Sequence, residues 1–213
     1  MKKLSVLILA LALTQFINAQ QSFSSGALVF SANYGVDGNT VNQHYFNQSE
    51  SSAQTLNGMA PASNFNLTGE FGLLNWLGIG LIGRFDNYYM MDNEVTHTRP
   101  SAGAVDLGGT ANIHIIRFTH LDLLAGYDWG VSQFTYHVND GLNTTAYGKG
   151  NWSDLHATGR VYFDRLGVNL SLYIPTMSYN NLQNNNSTTG EYIVNYWKST
   201  GYGASVGVQY RLF

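Results

Sequence analysis

The chain of 213 residues contains no cysteine. That excludes a disulfide-stapled fold, a thiolate metal site and a cysteine nucleophile. It is also poor in charge, with Asp, Glu, Lys and Arg at 11%, against about 25% in an ordinary soluble domain. The formal net charge of −3 supplies no basic footprint for nucleic acid. After the N-terminal segment no apolar run approaches the roughly 18 residues of a membrane helix. What is abundant is aromatic, at 14%, and glycine, at 23 residues. Mean hydropathy is −0.12, so the hydrophobicity that exists is spread out rather than pooled. Dispersed hydrophobicity of this kind is what strand alternation produces.

Residues 1–19 read as a cleaved secretory signal. Lys2 and Lys3 form the charged start, Leu4 to Leu13 the apolar stretch, and Asn18-Ala19 the small-residue end. Residues 20–213 then form one domain outside the cytoplasm. Its segments alternate apolar and polar in steps of two, the period of a strand with two unlike faces. Such segments are predicted at 26–34, 63–73, 77–86, 101–115, 121–132, 154–163, 166–174 and 200–213. Pro175 is expected to close the seventh, since proline cannot donate to a ladder. The connections alternate long and short. Polar loops are expected over 35–62, 88–100, 137–150 and 176–199, with tight turns at 74–76, 116–119 and 164–165.

The last segment carries the clearest pattern. Tyr202, Ala204, Val206, Val208, Tyr210 and Leu212 share one face; Gly203, Ser205, Gly207, Gln209 and Arg211 share the other. It ends on Leu212-Phe213, with Leu212 in phase and Phe213 one step beyond. An aromatic-ended terminal strand of this type resembles that of bacterial outer-membrane β-barrels. The whole mature chain resembles the eight-stranded OmpA/OmpX-like family. The resemblance implies an all-β, eight-stranded antiparallel up-and-down transmembrane barrel in the outer membrane of a Gram-negative bacterium. Short turns and both termini would be periplasmic, and four long loops extracellular. It also implies that Tyr210, Leu212 and Phe213 act as the C-terminal signal for the insertion machinery. Outer-membrane lipid and lipopolysaccharide would be the surrounding partners, with an extracellular ligand of the loops unknown.

The competing fold is a soluble up-and-down barrel with its apolar face inside. Lysine is absent from every expected strand, and the polar face is mostly Gly, Ser, Thr and Asn. Small polar residues suit a narrow eight-stranded lumen, so the apolar face is expected outside. Aromatics gather near strand ends, as interfacial girdles do. The lumen face collects Glu70, Arg84, Asp86, Asp106, Asp122, Asp128, His156, Arg160 and Arg211. Buried charges need partners, so these are expected to form a hydrogen-bonded network that plugs the barrel. A water-filled path or proton relay is the alternative.

The six histidines raise catalysis, because some outer-membrane barrels are lipid-modifying enzymes or proteases. His44, His97 and His137 fall in expected loops, and His114, His120 and His156 at the lumen or rim. No nucleophile–base signature accompanies them, so no enzyme activity is expected. No cofactor is expected, and no His-x-His or His-x₃-His spacing supports a metal. The expected loops carry Tyr45, Phe46, Met90, Met91, Tyr136, Tyr147, Tyr179, Tyr192, Tyr196 and Trp197 among Asn, Ser and Gly. Aromatic anchors among adaptable polar residues resemble a recognition surface.

Overall fold

The computed structural model describes residues 22–47, 52–89, 101–138, 144–185 and 192–212. The expected signal over 1–19, His97, Met90, Met91 and Phe213 lie outside them. Eight long strands form one antiparallel sheet: β1 (Leu28–Asn47), β2 (Ser52–Leu74), β3 (Leu77–Tyr89), β4 (Ser101–Arg117), β5 (Leu121–Val138), β6 (Thr144–Phe163), β7 (Leu166–Asn180) and β9 (Tyr192–Arg211). A two-residue strand, β8 (Gln183–Asn184), pairs with β6 at Ala146 and Tyr147. Each long strand pairs with its chain neighbour, β7 pairs with β9, and β9 pairs with β1. The ring is therefore closed, and closure removes the sheet edges.

Alternation sets which side chains face out. On β7, Leu166, Val168, Leu170, Leu172 and Ile174 are exposed, while Val168's neighbours Gly167 and Asn169 are buried. Equivalent apolar residues cover the outside of every long strand, from Phe30 on β1 to Val208 on β9. Nine strand residues tilted by about 40° rise roughly 23 Å, close to the apolar height of a membrane barrel. Trp76, Phe163 and Tyr210 edge this belt at the turn end, and Tyr34, Trp129 and Tyr202 at the other.

The strands do not stop at the belt. The expected loop over 35–62 is mostly strand: β1 and β2 stay paired from Leu28↔Phe71 to Asn47↔Ser52. β5 and β6 likewise pair as far as Val138↔Thr144. Pro175 does not end β7. It pairs with Asp154 on β6, and on the other side the ladder passes from Tyr173↔Gly203 to Thr176↔Thr200. A proline is tolerated where the missing donor has no ladder partner to serve.

The expected strand ends fall where the two faces exchange character. On β7 the outward series turns polar at Thr176, Ser178 and Asn180, and the inward series turns apolar at Met177 and Tyr179. On β5 the same exchange puts Gln133 and Thr135 outside and Phe134 and Tyr136 inside. The pleat continues unbroken; only hydrophobicity changes sides. The barrel therefore has two storeys, one apolar outside and polar within, the other polar outside and apolar within.

Candidate functional site

The lumen is filled in layers. At the turn end Glu70 of β2, Asn112 and His114 of β4, Asp122 of β5 and Arg160 of β6 all point inward, each in the lumen-facing phase of its strand. His114 sits between carboxylates, with Nδ1 2.8 Å from Asp122 Oδ2 and Nε2 3.0 Å from Glu70 Oε1. Arg160 Nη2 forms an ion pair with Glu70 Oε2 at 2.7 Å, and Nη1 lies 3.7 Å from Asp122 Oδ2. Asn112 Nδ2 donates to Glu70 Oε1 at 2.8 Å. Two acids face two basic groups here, and His114 bridges the acids through its two ring nitrogens.

The segment before β1 closes the layer from below. Phe23 is fully buried and stacks on His114, centroids 3.5 Å apart and planes 9° apart. The Ser22 N–H donates to the Phe118 carbonyl at 2.9 Å. Arg211, expected in the lumen network, is instead half-buried at this rim. Its Nη1 donates to the Ser22 carbonyl at 2.6 Å, and its guanidinium lies 5.1 Å over the Tyr162 ring.

A second charged layer lies nearer the belt's far edge. Arg84 of β3 is wholly buried. It bonds Asp37 Oδ2 at 2.5 Å through Nη2, Asp86 through Nε at 2.9 Å, and Asp154 Oδ2 at 3.2 Å through Nη1. The Tyr173 hydroxyl and the Asn64 amide donate to Asp37, and the Arg84 guanidinium lies 5.3 Å from the Tyr173 ring. Asp106, buried, is the cross-strand neighbour of Arg84. Between the layers a cavity of about 50 Å³ is lined by Asn33, Asn66, Asp128, His156 and Asn169, among others. It has room for about three water molecules. His156 Nε2 lies 3.5 Å from Asp128 Oδ1.

The third layer is aromatic. Trp197 packs against Phe134 at 4.0 Å between centroids and against Tyr88 at 4.9 Å; Phe134 stacks on Tyr179 at 4.5 Å. Trp152, Met177, Leu182 and Val194 belong to the same buried cluster. The expected recognition surface is thus corrected at Tyr136, Tyr179 and Trp197, which are buried inside the barrel. Tyr147 stays exposed.

Of the residues expected in the lumen, Glu70, Asp122 and Arg160 meet in the lower layer. Arg84 and Asp86 meet in the upper, with Asp106 beside them. Asp128 and His156 pair at the cavity. Asp37 was missed because it lay in an expected loop. His114, Asp154, Asn64 and Tyr173 are further members, and their inward phase was the available signal. At the rim His44 packs edge-on to Tyr196 at 5.0 Å, and His137 Nδ1 lies 3.0 Å from Thr145 Oγ1. Among the described residues no group of three His, Cys, Asp or Glu could hold a metal ion.

No protein-family model and no curated protein matches the sequence. Solved structures do. The outer membrane protein OprG of Pseudomonas aeruginosa aligns with a TM-score of 0.59 at 11% identity, over 89% of this chain and 97% of OprG. Neisserial surface protein A aligns with a TM-score of 0.50 at 10% identity, over 86% of this chain and 99% of that one. At such identities the likeness is one of architecture, and it agrees with the closed ring and the outward apolar belt: the chain has the fold of the small bacterial outer-membrane β-barrels.

Proposed function

We propose that the protein is a non-conducting outer-membrane barrel that holds a rigid extracellular platform, serving surface interaction or envelope integrity. The observation that carries this is the threefold closure of the lumen. A solute entering from the loop end meets the Trp197 cluster, then the Arg84 layer, then the Glu70–His114–Arg160 layer with Phe23 beneath it. Eight strands leave a bore that side chains can fill, and here they fill it at three heights. The aromatic storey gives the platform its stiffness, since its strands pack on a core rather than ending as free loops.

In this reading the 74–76, 117–121 and 164–165 turns and both chain termini face the periplasm. The four long hairpins face outward and carry the unknown ligand. The last strand, with Tyr210, Leu212 and Phe213, is what the insertion machinery engages. The histidines serve structure, and the protein is not an enzyme. A narrow cation path is the second reading, favoured by Asp37, Asp86, Asp106 and Asp154 around the single Arg84.

Planar-bilayer recording of the refolded, signal-free protein separates the two. Silence, with a strand-type circular dichroism spectrum, is expected. Discrete cation-selective steps would overturn the non-conducting reading.

A further inference from the structure

Beyond its N-terminal twenty residues the sequence has two lysines, Lys149 and Lys198. The fold brings both to one patch of the outer wall. Asn151 of β6 pairs with Ser178 of β7, and Ser178 pairs with Lys198 of β9. Lys149 is two residues further along β6. Both lysines are exposed and flank β7 from either side. Strand spacing puts their Cα atoms roughly 12 Å apart, so their ammonium groups can converge over Ser178 and Asn180.

Below them, on β5, β6, β7 and β9, the apolar belt is dented. Ala125 and Ala157 are paired across β5 and β6 and form a floor. Leu155, Leu172, Ile174 and Tyr202 stand around it, in a groove of about 490 Å³. Thr176 and Thr200, whose hydroxyls are 3.3 Å apart, lie between groove and lysines. Four strand residues separate Tyr202 from Lys198, a rise of roughly 10 Å at the tilt of a barrel strand. Beside Lys198 an open concavity is lined by Asn42, His44 and Tyr196. It offers amide, imidazole and phenol groups, with the two rings set edge to face.

The electrostatics of the wall are one-sided. Among the described residues every carboxylate is buried in the lumen except Asp164, which lies in the turn at the opposite end. Acyl groove, cationic pair and polar aromatic concavity therefore follow one another in the order of an acylated lipid with a phosphorylated sugar headgroup.

We propose that the wall running from β5 through β6, β7 and β9 to β1 is a binding site for one molecule of a phosphorylated glycolipid. An acyl chain lies over Ala125 and Ala157, a phosphate between Lys149 and Lys198, and a sugar against Asn42, His44 and Tyr196. The source of that lipid in the cell rests on the outward placement of the loop end; the binding itself does not.

The test is lipid retention by native mass spectrometry of the protein refolded in micelles. The probes are bisphosphorylated lipid A and its dephosphorylated form. A cation at a lipid surface is worth about a factor of five, so the pair favours the phosphorylated probe by roughly thirtyfold. The double variant Lys149→Gln/Lys198→Gln erases that preference while folding normally, judged by its heat-shifted gel mobility. Ala157→Phe, facing lipid, weakens both probes together. Equal retention of the two probes by the parent protein overturns the site, and so does a preference that survives the double variant. Displacement of the lipid by millimolar inorganic phosphate would show an unspecific anion site instead and equally overturn it. None of these outcomes bears on conductance, so failure here is distinct from failure of the platform reading.

Discussion

Replacing Arg84 by Met keeps the length of the side chain and removes its charge. In the intact barrel the guanidinium bonds three buried carboxylates, Asp37, Asp86 and Asp154, at 2.5, 2.9 and 3.2 Å. Without it those acids face one another across the lumen. Two charges about 6 Å apart repel by roughly 3 kcal/mol at an effective dielectric constant near 20. Removing one partner from a buried ion pair costs about 3–5 kcal/mol for the same reason. The Arg84→Met barrel is therefore expected to lose about 3–5 kcal/mol of unfolding free energy in micelles at pH 8. The sign of its pH dependence follows. Protonation relieves the repulsion in the folded variant, while the unfolded chain has no such repulsion to relieve. The folded state then binds more protons, so the deficit shrinks as pH falls towards 5. Urea titrations followed by tryptophan fluorescence at both pH values read this directly. A loss below about 1 kcal/mol at pH 8, or an equal loss at pH 5, would refute the electrostatic account. A packing defect alone has no reason to depend on pH.

Arg160→Ala removes the cation between Glu70 and Asp122 and is expected to lower the unfolding midpoint in detergent; an unchanged midpoint argues against a structural network. A Cβ at Gly203 would lie 2.3 Å from the Tyr173 ring, so Gly203→Val should cost about 1–3 kcal/mol in the same titration, and a neutral result would mean that Tyr173 is free to move. Single-tryptophan variants in brominated lipid should separate into two classes. Trp76 and Trp129, 47% and 48% exposed on the belt, are quenched, whereas Trp152 and Trp197, at 2% and 1%, are not. Quenching of Trp197 would place the aromatic cluster outside the barrel.

The membrane storey was legible because its rule is local. A strand such as 166–174 declares itself by parity, and parity also assigned Glu70, Arg84, Asp122 and Arg160 to the lumen. Pairings between them were not legible. Glu70 and Arg160 are brought together by four strand registers, and none of those is written in the neighbourhood of either residue. Arg211 had the right parity but too low a position, where the Ser22 carbonyl takes its guanidinium. The upper storey was misread for a different reason. A face that turns from apolar to polar looks like the end of a strand, so Met177, Tyr179 and Trp197 appeared to be loop residues. The Asn and Ser between them reinforced that reading, since on a strand they are simply the solvated half of the pleat. The signal for the exchange was present in β5, where Phe134 and Tyr136 fall two apart in the formerly polar phase.

The height of the second storey has a geometric consequence. β1 runs about eleven residues past the belt, a rise of roughly 28 Å. A coat of short sugars anchored on neighbouring lipids would therefore surround the shaft and leave the hairpin ends clear of it. Substitutions at those ends also lie a full aromatic core away from the lipid, so the tips can diversify in sequence while insertion and closure go on unchanged below.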